Sequence, residues 1–277
     1  MVRGVSLHIG INEVDASHYA GWSGTLEACE RDADAMHAIA TQQGFESSLL
    51  KTKSATRAAV IEHIKRLAGE HGLRDGDIFL LTYAGHGGQV TDVDGDEDDL
   101  KDETWCLFDG HLLDDELNLL WADFSPGVRI LLFSDSCHSG SVSKGEGFGA
   151  SSEDALSAES EPVRYRFMPR DAAVRTFREN RDFYTDLQLQ IPDPRPRIHA
   201  TVRLISGCQD DQLSAEVFGS GRFTRALKRL WSDGAFVGCY ADFHREICAL
   251  LPSTQQPVHT VLGPPNPSYD EQRPFTI

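Results

Sequence analysis

The sequence predicts an α/β fold: a mainly parallel central sheet flanked by helices. Two observations carry that expectation. The apolar runs Ile78–Tyr83 and Val128–Phe133 each stop abruptly before a turn of small residues, Ala84-Gly85-His86-Gly87-Gly88 and Ser134-Asp135-Ser136-Cys137-His138-Ser139-Gly140. Unbroken apolar runs of this length read as strands buried on both faces, which is the habit of parallel sheets. Segments with apolar residues at helical spacing alternate with them, as an α/β arrangement requires. In such sheets ligands meet the carboxyl ends of the strands. His86 and Cys137 are therefore expected side by side at that edge, an imidazole base beside a nucleophilic thiol.

The elements follow in order. Val5–Ile11 is a first strand. Leu26–Gln43 is a helix, with Leu26, Cys29, Ala33, Met36 and Ile39 recurring on one face and Gly44 as its stop. Ser48–Lys51 is a short strand. Thr56–His71 is a second helix, carrying Val60, Ile61, Ile64 and Leu67 on its apolar face. Val90–Asp109, acidic and glycine-bearing, reads as a long loop or hairpin. Asp114–Phe124 is a helix whose acidic first turn suits the helix dipole. Ser141–Pro162, rich in Ser, Gly and Glu, reads as a mobile segment. Val163–Arg181 carries Arg164, Arg166, Arg170, Arg175, Arg178 and Arg181 without a lysine. Order resumes with a strand at Ala200–Ser206 and helices at Phe223–Trp231 and Ala241–Leu251. The proline-bearing tail from Pro252 reads as an extended surface wrap or loop. The expected organisation is a catalytic region over 1–143, a flexible Arg-rich insert over 144–198, and a region over 199–277 that completes the same domain.

Composition narrows the function. The chain has 277 residues, 40% of them hydrophobic, and a formal net charge of −17. That length buries a sizeable core. The acidity argues against a nucleic-acid partner, which would demand a basic face. No apolar run is long enough to span a bilayer, and no signal peptide precedes the first strand, so no membrane partner and a cytoplasmic site are expected. Six scattered cysteines, Cys29, Cys106, Cys137, Cys208, Cys239 and Cys248, contain no Cys-x-x-Cys pair. They read as reduced thiols, mostly small core residues.

The two turn motifs, about fifty residues apart and in this order, resemble the histidine and cysteine motifs of the caspase-like cysteine peptidases, closest to the metacaspase and bacterial orthocaspase branch. Leu204-Ile205-Ser206-Gly207-Cys208-Gln209-Asp210-Asp211-Gln212, Ser214-Ala215-Glu216 and Gln255-Gln256-Pro257 also resemble that family. The similarity covers the chain except roughly Lys144–Ile198. It implies a caspase-hemoglobinase fold and a cysteine endopeptidase with His86 as base and Cys137 as nucleophile. His138, adjacent to the nucleophile, is set aside as the base. The backbone N–H groups of Gly87 and Cys137 are the candidates for an oxyanion hole. Two glycines after His86 permit close backbone approach.

Resemblance also implies an acidic S1 pocket for Arg or Lys. Gly24–Ala33 matches the segment in which a cysteine precedes an aspartate by three residues, so Cys29 and Asp32 line the pocket, with Asp135 as the second acid. A guanidinium satisfies two buried carboxylates with paired hydrogen bonds. The pattern departs at Ala84, where many metacaspases carry serine. Calcium is the one metal to consider: Asp99, Asp102, Asp114 and Asp115 are the candidates, and the alternative is a solvated acidic loop. The loop after the cysteine offers only Glu146 where calcium-dependent relatives place aspartate. The chemistry itself needs no cofactor. The expected partners are protein substrates with Arg or Lys at the cut site and an upstream activating protease if the enzyme does not process itself. The family resemblance implies a monomer. Processing is expected between Lys144 and Arg197, where the six arginines are the candidate cut sites. The rival readings are a catalytically silent caspase-like scaffold for partner binding and a dyad peptidase with a different P1 preference.

Overall fold

The computed structural model describes residues 2–91, 101–137, 163–192, 194–210 and 212–277. Asp99, His138 and the part of the insert from Lys144 to Pro162 lie outside the described residues. Six strands form the central sheet: β1 (Gly4–Gly10), β2 (Glu46–Lys51), β3 (Ile78–Ala84), β7 (Arg129–Asp135), β9 (Thr201–Ser206) and β12 (Val258–Leu262). Their order is β12-β9-β7-β3-β1-β2, parallel throughout except for the antiparallel pair β9–β12. A mainly parallel sheet flanked by helices is thus observed.

Both faces of the middle of this sheet are covered, which is why residues 78–81 of β3 and 130–133 of β7 are apolar at every position rather than at alternate ones. Side chains alternate between faces along a strand. Phe79, Leu81, Ile130 and Leu132 point to one side, packed with Val60 and Ile64 of α2 (Arg57–Ala68) and with Leu117 and Trp121 of α3 (Asp114–Ala122). Ile78, Leu80, Leu131 and Phe133 point to the other. There they meet Met36 and Ile39 of α1 (Cys29–Gln42), Phe223 and Leu227 of α6 (Arg222–Trp231), and Phe243 and Ile247 of α7 (Tyr240–Leu250). Burying a side chain of this size contributes about 1.5–3 kcal/mol relative to exposure, so each layer is substantial.

Of three regions, the first takes the hairpin form the sequence allowed and the other two differ from expectation. Val90–Asp109 belongs to a second, antiparallel sheet of β4 (Gly87–Thr91), β5 (Lys101–Leu107) and β6 (Gly110–Leu113). Cross-strand burial of Trp105 and Leu112 organises it, with the Trp105 ring stacked on Tyr83 at 4.4 Å. The tail from Pro252 is not a surface wrap. It supplies edge strand β12, the short α8 (Pro267–Asp270), and the buried rings of Tyr269 and Phe275. Its prolines flank β12 rather than interrupt its ladder, as prolines in sheets must. The insert read as flexible carries regular structure within its described residues, 163–192 and 194–198. It forms β8 (Arg164–Tyr165), α4 (Arg170–Glu179) and α5 (Arg181–Leu189). Buried Tyr184 anchors α5, its hydroxyl accepting from the His111 N–H at 3.2 Å. The third sheet joins β8 to β10 (Ala215–Val217) and β11 (Ser220–Gly221). Among the described residues no helix is long and apolar enough to cross a membrane.

Candidate active site

Strand register brings the two motifs together. Ala84, the last residue of β3, lies opposite Asp135, the last residue of β7. His86 and Cys137 each follow two residues beyond that pair, so both turns leave the sheet at one edge. The turns are in backbone contact: a Cβ on Gly87 would fall 1.9 Å from the Cys137 carbonyl oxygen. Only glycine fits there, since no side chain can share that space.

The His86 turn is held from below. Tyr83 Oη donates to the His86 carbonyl at 2.7 Å, and the Cys106 N–H donates to the same oxygen at 2.9 Å. The imidazole is buried against Trp22, with ring centroids 4.8 Å apart, and its Nε2 lies 2.9 Å from the Gly24 carbonyl. A carbonyl can only accept, so Nε2 carries the proton and Nδ1 presents its lone pair. Nδ1 has no hydrogen-bond partner among the described residues. Burial pushes the His86 pKa down to about 4, with the Gly24 carbonyl pulling the other way. At neutral pH the ring is a neutral base.

Cys137 is fully buried, and its Sγ accepts from the Ser214 N–H at 2.5 Å. Cys208 flanks it, with its Sγ 3.6 Å from the Ser136 carbonyl. A hydrogen bond with Cys137, together with burial, pushes the Cys208 thiol well up and keeps it protonated.

Arg166 of the insert occupies this site. Its carbonyl oxygen accepts two hydrogen bonds, from the Gly87 N–H and from the Cys137 N–H, each at 3.0 Å. These are the two donors expected of an oxyanion hole. Its own N–H donates to the Ser214 carbonyl at 2.9 Å. Its side chain, wholly buried, runs into the acidic pocket: Nη2 lies 2.5 Å from Asp32 Oδ2 and Nη1 lies 2.8 Å from Asp135 Oδ2. Burial opposes the charge of this guanidinium, but Asp135, Cys29 and Asp32 outweigh it and raise the pKa well above the ordinary arginine value.

Other residues fix the pocket acids. Asp32 accepts from Ser220 Oγ at 2.6 Å and from the Gly221 N–H at 2.8 Å. Asp135 accepts from Ser214 Oγ at 2.6 Å and Thr224 Oγ1 at 2.8 Å. A Cβ on Gly221 would fall 2.2 Å from Asp135 Oδ2, so that wall must be bare backbone. Cys29 is buried beside Leu26 and Ala84. Sequence reasoning missed Glu216, a buried third acid 3.7 Å from Arg166 Nη2. It also missed the Gly24 carbonyl, which no side-chain pattern reveals.

The remaining candidates lie elsewhere. Arg170, Arg175, Arg178 and Arg181 are exposed on α4 and α5. The aspartates considered for calcium do not gather into a ligand set among the described residues, which hold no group of three or more His, Cys, Asp or Glu side chains placed for a metal. Asp102 accepts from Gln188 Nε2, and Asp115 Oδ2 pairs with Arg195 at 2.6 Å. Those partners are donors that a cation would displace, so no step is drawn through calcium.

The chain matches the caspase-domain family, Peptidase_C14, over residues 3–268. It belongs to that family of cysteine peptidases. Among solved structures it resembles protein GSU0716 from Geobacter sulfurreducens, with 46% identity and a TM-score of 0.87, covering 99% of this chain and 98% of that one. It shares the fold of caspase-1 from Spodoptera frugiperda at 14% identity and a TM-score of 0.54, covering 95% and 86% of the two chains. Metacaspase-1A of Neurospora crassa is 34% identical over 155 residues, 50% of this chain and 32% of that protein. Metacaspase-1 of Ajellomyces capsulatus is 34% identical over 152 residues, 50% of this chain and 40% of that protein. The chain thus spans well under half the length of these curated relatives.

Proposed function

We propose that this chain is a cysteine endopeptidase that cuts after arginine or lysine, and that its first substrate is its own Arg166–Phe167 bond. One observation carries the reading: Arg166 lies with its guanidinium between Asp32 and Asp135 while its carbonyl oxygen accepts from the Gly87 and Cys137 N–H groups. Side chain and reacting carbonyl are both held as a peptidase would hold the residue before its cut.

The reaction follows from these positions. Cys137 Sγ bonds to the carbonyl carbon as its proton passes to His86 Nδ1, and the carbonyl electron pair moves onto oxygen. The Gly87 and Cys137 N–H groups stabilise that oxyanion, a contribution worth about 2.7–4 kcal/mol per donor in related sites. Collapse breaks the C–N bond to Phe167, whose nitrogen takes the proton from His86. Water, deprotonated by the same imidazole, then hydrolyses the thioester and restores the thiol.

Arginine suits the pocket better than lysine, because a planar fork meets two carboxylates where an ammonium is a single point. While Arg166 fills the pocket, no external chain can enter, so the uncut protein is latent. The test is hydrolysis of fluorogenic peptides ending in Arg, Lys or Asp, before and after self-cleavage, with Cys137→Ala as control. Arg-peptide turnover that appears with cleavage of the chain supports the reading. Equal turnover by Cys137→Ala, or preference for Asp, overturns it. No cleavage and no turnover in wild type favours the silent scaffold.

A further inference from the structure

The residues before Arg166 are also bound by the protein. β8 pairs antiparallel with β10, with Tyr165 opposite Ala215 and Arg164 opposite Glu216. An extended chain places alternate side chains on one side. Arg164 and Arg166, two apart, therefore share a side, and Tyr165 takes the other. Glu216, opposite Arg164 in the ladder, faces the same side and lies between the two guanidinium groups. Its Oε1 is 3.7 Å from Arg164 Nη1 and its Oε2 is 3.7 Å from Arg166 Nη2.

Glu216 is buried, and its carboxylate is fixed by the N–H groups of Glu27 at 2.9 Å and Ala28 at 3.2 Å. The same Glu27 swings its own carboxylate onto Arg164, with Oε1 2.7 Å from Nη2. Arg164 thus rests between one buried and one exposed acid. The Arg164–Glu27 pair raises the arginine pKa and lowers that of the glutamate, as an ion pair does.

We propose that Glu216 and Glu27 form a second basic-residue subsite, and that the enzyme prefers chains of the form basic-Xaa-Arg, with the first basic residue two positions before the one at the cut. The inference rests on the peptidase reading above. Backbone pairing with β10 supplies general affinity for an extended chain, and the alternate side-chain pockets supply selection, as in other strand-pairing recognition. The spacing follows from strand geometry: a basic residue one position before the cut residue would point away from Glu216.

The test uses self-cleaved wild-type protein and three acetylated fluorogenic peptides, Arg-Tyr-Arg, Ala-Tyr-Arg and Arg-Tyr-Ala. The expected kcat/KM for Arg-Tyr-Arg exceeds that for Ala-Tyr-Arg by about two- to fivefold, within the range for partly exposed charge pairs. The ratio should shrink in Glu27→Gln and shrink with added salt, since one partner is solvent-facing. A wild-type ratio of one overturns the second subsite while leaving Arg specificity intact. So does a ratio in Glu27→Gln equal to wild type at both low and high salt. Cleavage of Arg-Tyr-Ala as fast as Arg-Tyr-Arg overturns the pocket of Asp32 and Asp135 instead, and the inference falls with it.

Discussion

Arg164 on β8 and Arg166 just beyond it differ from Arg170, Arg175, Arg178 and Arg181 on α4 and α5 in backbone, not in charge. Arg164 lies in a strand laddered to β10, and Arg166, one residue past that strand, donates its N–H to the Ser214 carbonyl and is wholly buried. The other four stand on exposed helical positions; Arg175 has 49% of its side chain accessible and pairs with Asp171 one helical turn away. A cleft that takes the N–H and carbonyl of its substrate can accept only a chain whose backbone groups are free to pair. A mid-helix residue such as Arg175 spends those groups within the helix, and a helical backbone cannot ladder to a strand as an extended one does. Fold, rather than local sequence, decides which arginine is presented to Cys137.

The largest expected effect tests the chemistry common to both regions. Cys137→Ala should lower self-cleavage at Arg166–Phe167 by about 10⁴-fold or more, in line with loss of a catalytic nucleophile, read by intact mass over time. Arg166→Ala then separates the regions. It should abolish the cut without moving it to Arg170, Arg175, Arg178 or Arg181. Fragments ending at any helical arginine would break the comparison.

Asp135→Asn should reduce turnover of Arg-ending peptides by about 10²- to 5 × 10³-fold, the scale of about 3–5 kcal/mol for breaking a buried ion pair. An effect of that size on Arg peptides, with a smaller one on Lys peptides, would sharpen the role of the paired fork. Stability against pH probes the buried side of the molecule. Burial, the first cause in each case, depresses His86 to about 4 and both His8 and His111 to about 3. Between pH 6.5 and about 4 the unfolded chain binds protons that these rings refuse in the fold. Stability is therefore full above pH 6.5 and falls as pH drops, by up to about 1.4 kcal/mol per ring per pH unit. A midpoint of thermal unfolding unchanged between pH 7 and pH 4.5 would contradict this. The smallest effect belongs to the helices. Arg175→Ala should leave the cut position and the unfolding midpoint indistinguishable from wild type, because exposed helical ion pairs contribute little.

Much of this was legible in the sequence, for physical reasons that also mark the limit. The β3 and β7 runs were readable because both faces of a covered sheet demand apolar residues. Asp32 and Asp135 followed from family resemblance, and they meet on one guanidinium. Glu216 was not legible, since an acid two residues after a serine carries no periodic signal; only its opposition to Arg164 in the ladder gives it a place. The Gly24 carbonyl that sets the His86 tautomer belongs to backbone, which every residue has. Strand β12 was not legible because the proline content of the tail does not record that Pro257 and Pro264 fall just outside the Val258–Leu262 ladder. Six arginines looked alike because composition does not record which of them lies in a strand.

The ladder between β8 and β10 has one more consequence. β10 is covered on its other side by β11, so departure of β8 after a cut would turn it into an open sheet edge. Open edges are templates for any extended chain. This one is only three residues long and lies beside acids, so it would admit little besides basic strands. Uncut copies do not meet that description, because their own basic strand is already paired with β10 and Arg166 is buried beside it. Conversion of a population would therefore stay first-order in uncut protein, and the freed edge would serve foreign basic chains.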